Sequence, residues 1–307
     1  LFIGFRQIYR FVTLTKKMKP VALISDFECT SSWSAIFSGL KVISFDNMHL
    51  HPYAVLDAPA PEDKGAATMV KYICRINVPI KHKVLISCFF RPPLKQHVNT
   101  EQVRYIPCSV REEVLARKNK VNSSGPVLVY QTSQSNEGLH ATLKEAIEIT
   151  ALNFVVYGSN GMGTLADGRV QYRDFDEDTF LDDMASAPFV ILNGGHSAIC
   201  EALALGKPIL AEPIQAQYEQ ILNGQYLEKL GVGLGVRKLT PQHIQKFAER
   251  VPLMHQRALH LNVVDNERMI LEIRRAIEEL APTGLLPTNT MKALPLTHQP
   301  RMHTLME

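Results

Sequence analysis

From residue 127 to 280 the chain alternates short apolar runs with amphipathic stretches, and this alternation narrows the available folds more than any other feature. The runs 127–130, 153–157, 170–172, 188–192, 208–211 and 233–236 are too short for helices. They have the length and the β-branched, apolar content of strands buried on both faces. Between them, 137–150, 179–185, 196–205 and 218–230 read as helices, the last two stopped by Gly206 and Gly231. Thr240-Pro241 places a capping residue before a proline at the first helical position and so opens a further helix. Residues 265–280 read as the final one. Strand–helix order repeated this often predicts an α/β chain: a doubly wound parallel sheet with helices on both faces.

The first third carries the same rhythm less clearly. Residues 21–25 and 41–45 are short strands joined by a helix over 30–37, a βαβ unit. Residues 57–68, with Pro59, Pro61 and Gly65, read as a loop. Further strands are expected at 84–90 and 105–107, and a short helix at 110–118. The polar, turn-rich stretch 119–126 is the expected linker. The resulting partition is a first domain at 1–118, a second at 127–264, a helix at 265–280 returning to the first domain, and a tail at 281–307. Pro282, Pro287, Pro295 and Pro300 give that tail low order.

Composition excludes some functions. The chain has 33 basic and 30 acidic residues, a net charge of +3, which supplies no broad basic face for nucleic acid. Cys29, Cys74, Cys88, Cys108 and Cys200 are isolated, with no CxxC and no His/Cys spacing of a ligand set. Neither a disulfide scaffold nor a bound metal is expected, and a reducing cytoplasm is the simplest location. No run approaches the roughly 18 apolar residues that span a bilayer. Residues 1–15 read as an amphipathic helix packed on a sheet. Their basic, aromatic character also admits peripheral contact with the inner face of a membrane.

The segment with most chemistry is Asn193-Gly194-Gly195-His196-Ser197-Ala198-Ile199-Cys200-Glu201, between a strand and a helix. Two glycines allow a tight turn and close approach of a ligand to the backbone. The free N–H groups of the following helix favour a phosphate, Ser197 adds a hydroxyl, and Glu201 can accept from sugar hydroxyls one turn on. Packing alone also accounts for Gly-Gly at such a turn. The next unit, Glu212-Pro213 through Glu219-Gln220 with Asn223, offers groups that can converge with Glu201 on a polyhydroxy ligand. A solvated first helical turn reads the same way.

These motifs resemble the nucleotide-sugar-binding half of GT-B glycosyltransferases of the MurG-like and UDP-glycosyltransferase-like families. Ser25-Asp26-Phe27-Glu28 and Asp46-Asn47-Met48-His49 resemble strand ends of a group of microbial glycosyltransferases. The resemblance runs from about residue 18 to 280. It implies two Rossmann-like domains facing a cleft. It also implies transfer of a hexose-type sugar from a nucleotide donor, UDP by expectation, to a hydroxyl of a glycan, lipid or small molecule, without a metal or other cofactor. Gly194, Gly195, His196 and Ser197 would hold the diphosphate, and Glu201 the ribose. Glu219 and Gln220 would meet the sugar or ribose. Arg173 and Phe175 would lie near the base, and Gly158 and Ser159 would face the same cleft. Asp26, Glu28 and His49 are the candidates to hold or deprotonate the acceptor, each with an ordinary structural role as the alternative. Relatives open with a strand and a Gly-x-Gly-His-like loop, and nothing before Val21 supplies one, so the first domain is expected to be incomplete. A nucleotide-sugar epimerase of the same architecture, or a nucleotide-sugar-binding homologue without activity, remains the alternative.

Overall fold

The structure, a computed structural model, describes residues 5–131, 138–158, 163–165 and 168–281. The first part of the chain contributes α1 (Phe5–Met18), β1 (Ala22–Ser25), α2 (Cys29–Ser38), β2 (Lys41–Asp46), α3 (Leu50–Tyr53) and α4 (Lys64–Asn77). It continues with β3 (Lys83–Ser87), β4 (Val103–Ile106) and α5 (Glu112–Leu115). The second part begins with β5 (Val127–Tyr130), α6 (Leu139–Ile149), β6 (Phe154–Tyr157), β7 (Thr164–Leu165), β8 (Val170–Tyr172) and α7 (Glu177–Ser186). Then follow β9 (Val190–Leu192), α8 (His196–Ala204), β10 (Ile209–Ala211), α9 (Tyr218–Lys229), β11 (Gly233–Gly235), α10 (Pro241–His260) and α11 (Asn266–Leu280).

Two sheets result. The first runs β1-β2-β3-β4 and is wholly parallel. The second runs β11-β10-β9-β5-β6-β8-β7 and is parallel except where β7 meets β8. The chain order reverses at β5, which pairs with both β6 and β9, and the carboxyl ends of strands at such a switch are where open α/β sheets bind ligands.

Most helix ends obey the local chemistry of the sequence. Thr240 caps α10 by accepting from the His243 N–H, and Asp265 caps α11 by accepting from the Arg268 N–H. Gly206 and Gly231 take positive φ just past α8 and α9.

Two expectations need correction. The stretch 57–68 is a loop only to its prolines. From Lys64 it enters α4, whose buried face is Ala67, Val70 and Cys74 at helical spacing. The strand expected at 84–90 ends at Ser87, because the next three residues leave the sheet for the core. There Phe89 packs edge-on to Phe90, and Phe90 stacks on Tyr226 of α9 with centroids 3.7 Å apart.

The two sheets share one core. Leu50, Val84, Ile86 and Phe90 belong to the same buried cluster as Val155, Leu192, Ile199 and Leu222. Fully buried Lys207 donates to the carbonyls of Asn122 and Ala187, which stitches residue 122 to the second part. After α10 the chain crosses back. Cys108 and residues 263–265 exchange backbone hydrogen bonds, and Ala276 of α11 packs with Ile43, Leu85 and Ile106 of the first sheet. Among the described residues, no helix is long and apolar enough to cross a membrane.

Candidate functional site

The glycine turn after β9 is fixed from behind and open in front. Gly194 has φ +89°, and a Cβ on it would lie 3.1 Å from the Gln220 carbonyl oxygen. Its own carbonyl accepts from Asn223 Nδ2 at 2.9 Å. Gly195 is the N-cap of α8 and offers no side-chain cap, while a Cβ there would meet nothing within 4 Å. Ser197 is exposed in the first turn. A helix N-terminus left in this state has N–H groups to give to an anion.

The carboxyl ends of β1 and β2 face this turn. Asp26 follows β1 and is exposed. Its carboxyl is pushed above the usual range by partial burial and by the Asp46 carboxylate, while His196 pulls the other way. Asp46 ends β2 and is buried with His49 and Ser44. His49 Nδ1 lies 2.9 and 2.8 Å from the two Asp46 oxygens, the His49 backbone N–H donates to Asp46 Oδ1, and the Ser44 hydroxyl donates to Oδ2. Among the described residues, His49 Nε2 is buried without a partner. The rings of Phe27 and Tyr53 flank the imidazole.

Glu219 joins the two faces. One of its oxygens accepts from Asn47 Nδ2 at 2.9 Å and from Asn223 Nδ2 at 2.6 Å. Burial pushes its carboxyl up, and Asn223, the His196 ring and backbone N–H, and Asn47 act against that shift. Glu219 therefore sits at the N-terminus of α8 while gripping a residue of the first sheet's motif.

Other expected site residues are placed differently. Glu28 spends both carboxylate oxygens capping α2, on the N–H groups of Thr30 and Ser31 at 2.7 Å each. Burial raises its carboxyl, but these bonds outweigh it and hold the group low, which makes Glu28 a weaker proton acceptor than Asp26. Gln220 turns its carbonyl to the Ile214 N–H and supports the loop before α9. Glu201 accepts from Arg111 Nε at 2.8 Å, so a ribose would have to share or displace that pair. His196 gives its imidazole to Cys108 and Cys200, and its backbone N–H donates to the Glu219 carboxylate. Arg173 pairs with Asp183 at 2.6 Å, and Tyr157 donates to the same carboxylate oxygen.

Phe175 remains available. It is 57% exposed and rests on Tyr130, Tyr157 and Phe180, an aromatic platform beside the ends of β5 and β6. Gly158, with φ +88°, ends β6 beside this platform. Ser159 lies outside the described residues. Asp46, Asn47 and Arg111 were not singled out as site residues from the sequence. The first two stand inside the Asp-Asn-x-His motif, whereas nothing local marks Arg111 as a partner of a residue 90 positions away.

A family model for glycosyl transferase family 1 matches residues 4–252, most of the chain. This chain belongs to glycosyl transferase family 1. An uncharacterized glycosyltransferase of Methanosarcina mazei is 37% identical over 273 residues, which cover 78% of this chain and 66% of that protein. The UDP-N-acetylglucosamine--N-acetylmuramyl-(pentapeptide) pyrophosphoryl-undecaprenol N-acetylglucosamine transferase of Geobacillus thermodenitrificans is 30% identical over 175 residues. That match covers 51% of this chain and 48% of the relative, so the chain spans only about half of that relative's length. Among solved structures, UGT2 of Phytolacca americana, complexed with UDP-2fluoro-glucose and pterostilbene, superposes with a TM-score of 0.64 at 12% identity. The superposition covers 89% of this chain and 78% of that one. MurG of Acinetobacter baumannii gives 0.55 at 12% identity, covering 89% and 77%. The family 1 chain thus has the GT-B fold, with two parallel-sheet halves.

Proposed function

We propose that this family 1 chain transfers a hexose-type sugar from a nucleotide donor, a UDP-sugar, to an acceptor hydroxyl. The observation that carries the reading is the juxtaposition made by Glu219. It brings the N-terminus of α8, where its own carboxylate takes the His196 N–H, opposite Asp26 and the Asp46–His49 pair. The Geobacillus relative's name specifies a UDP-sugar donor, and the Phytolacca structure holds a UDP-sugar, which supports the choice of donor.

In this reading the diphosphate lies before Gly195, His196 and Ser197. Backbone N–H groups, the Ser197 hydroxyl and the helix dipole take up the charge of the departing UDP, with no metal in the transfer step. Glu219 accepts from donor sugar hydroxyls, and the base rests on Phe175. Asp26 is the general base, since it is exposed and its raised pKa makes it the better proton acceptor. The acceptor hydroxyl gives its proton to Asp26 as its oxygen bonds to the anomeric carbon, and the bond from that carbon to the diphosphate oxygen breaks. The partnerless Nε2 of His49 favours a second assignment of the base, which requires the Phe27 or Tyr53 ring to move aside. Acceptors are glycans, lipids or small molecules bearing a hydroxyl.

Calorimetric titration of the folded chain with UDP and UDP-hexoses tests the donor site. Acceptor-dependent UDP release tests transfer. A folded sample that binds none of these nucleotides saturably would end the proposal.

A further inference from the structure

Cys108, His196 and Cys200 place one ligand atom each within 4.8 Å of one another. They come from opposite halves of the molecule. Cys108 follows β4 at the point where residues 263–265 return, and His196 and Cys200 are one turn apart on α8. His196 Nε2 lies 3.8 Å from Cys108 Sγ and 3.5 Å from Cys200 Sγ. A tetrahedral zinc ion with bonds of about 2.3 Å to sulfur and 2.05 Å to nitrogen separates those ligands by roughly 3.6 Å. The two observed separations bracket that edge.

Two thiols and an imidazole are also the ligand types that zinc takes. Both sulfurs approach Nε2, and Cys200 Sγ is in addition 3.9 Å from Nδ1. Both thiols are buried, in a region that also holds the ring of Phe89, 6.1 Å from that of His196. No sequence spacing announces the set, because Cys108 is 88 residues from His196.

We propose that Cys108, His196 and Cys200 bind a zinc ion that clamps the first sheet to α8. The ligands are two thiolates and Nε2. The ion holds the donor turn against the first sheet and takes no part in sugar transfer, so the proposal stands independently of the activity.

The test uses the full chain, reduced and stripped of metal, titrated with Co²⁺ and then Zn²⁺. One equivalent of cobalt should give the strong visible bands of a tetrahedral site and a thiolate charge-transfer band, and zinc should abolish both. Cys108→Ser and Cys200→Ser should each weaken cobalt binding by at least ~100-fold. Cys88→Ser should leave it unchanged, since Cys88 is a buried thiol outside the set. Because a ligand variant can misfold, urea unfolding of the native chain provides a second readout, in which one equivalent of zinc should raise the midpoint and one equivalent of calcium should not. Weak octahedral-type cobalt bands, or an unfolding midpoint that zinc does not move, overturn the proposal. So does ready formation of a Cys108–Cys200 disulfide with oxidised glutathione in a chain that shows no cobalt thiolate band, which would make the cluster a redox pair.

Discussion

His49 Nδ1 lies 2.8 Å from Asp46 Oδ2, and neither side chain reaches solvent. A carboxylate only accepts, so Nδ1 carries a proton, and in the neutral ring Nε2 is the acceptor. Asp46→Asn removes the charge that fixes this tautomer and leaves buried polar groups poorly matched. We expect a loss of about 2 kcal/mol in urea unfolding together with a fall in kcat. Asp26→Asn, at an exposed carboxyl, should leave unfolding unchanged while lowering kcat by about 100-fold or more. If His49→Gln alone abolishes transfer and Asp26→Asn does not, the base is His49.

The two glycines of the turn should separate stability from binding. Gly194→Ala forces a side chain into φ +89° and within 3.1 Å of a carbonyl oxygen, so it should cost about 1–3 kcal/mol of stability. Gly195→Ala has φ −66° and open space in front, so it should cost only the N-cap preference of Gly over Ala, about 1 kcal/mol or less. Its methyl instead enters the room kept for the diphosphate, and UDP affinity measured by calorimetry should drop at least about tenfold. Normal UDP affinity in that variant would move the donor away from the turn.

Phe175 offers the same kind of test at the other end of the donor. Phe175→Ala removes a half-exposed ring and should change stability by less than about 1 kcal/mol. Loss of base stacking should weaken UDP binding by about 1–3 kcal/mol, whereas binding of a sugar without the base should not change. Equal effects on both ligands would contradict the platform.

Stability should also carry the mark of His51. This imidazole is 2% exposed beside the Tyr218 ring, and burial, helped by the charge on Lys71, pushes its pKa from 6.5 down to about 4. The folded protein keeps His51 neutral at pH values where the unfolded chain protonates it. Its contribution is therefore complete above pH 6.5 and drains away as pH falls toward 4, by up to about 3 kcal/mol. Urea unfolding at pH 7 and pH 4.5 should show the loss, and His51→Gln should flatten it.

The second sheet was legible because each of its main strands is a short buried apolar run, and periodicity with glycine stops marks the helices between them. The helix α4 was not, because Pro59, Pro61 and Gly65 give a loop signal that the burial of Ala67, Val70 and Cys74 overrides. Phe89 and Phe90 read as strand for the same reason in reverse. They are apolar, but their partner is Tyr226 on a helix, not a neighbouring strand.

The sequence by itself determined the α/β rhythm, the glycine turn at 194–195 and the two strand-end motifs. Each of these depends on residues close together along the chain. Only the tertiary structure decided what the side chains do. It assigned Glu28 to a helix cap and the Gln220 side-chain oxygen to the Ile214 N–H, drew Asn47 to Glu219 across 172 positions, and gathered Cys108 with His196 and Cys200. Hydrogen-bond partners and ligand sets form between atoms brought together by packing, and spacing along the chain carries no record of such meetings.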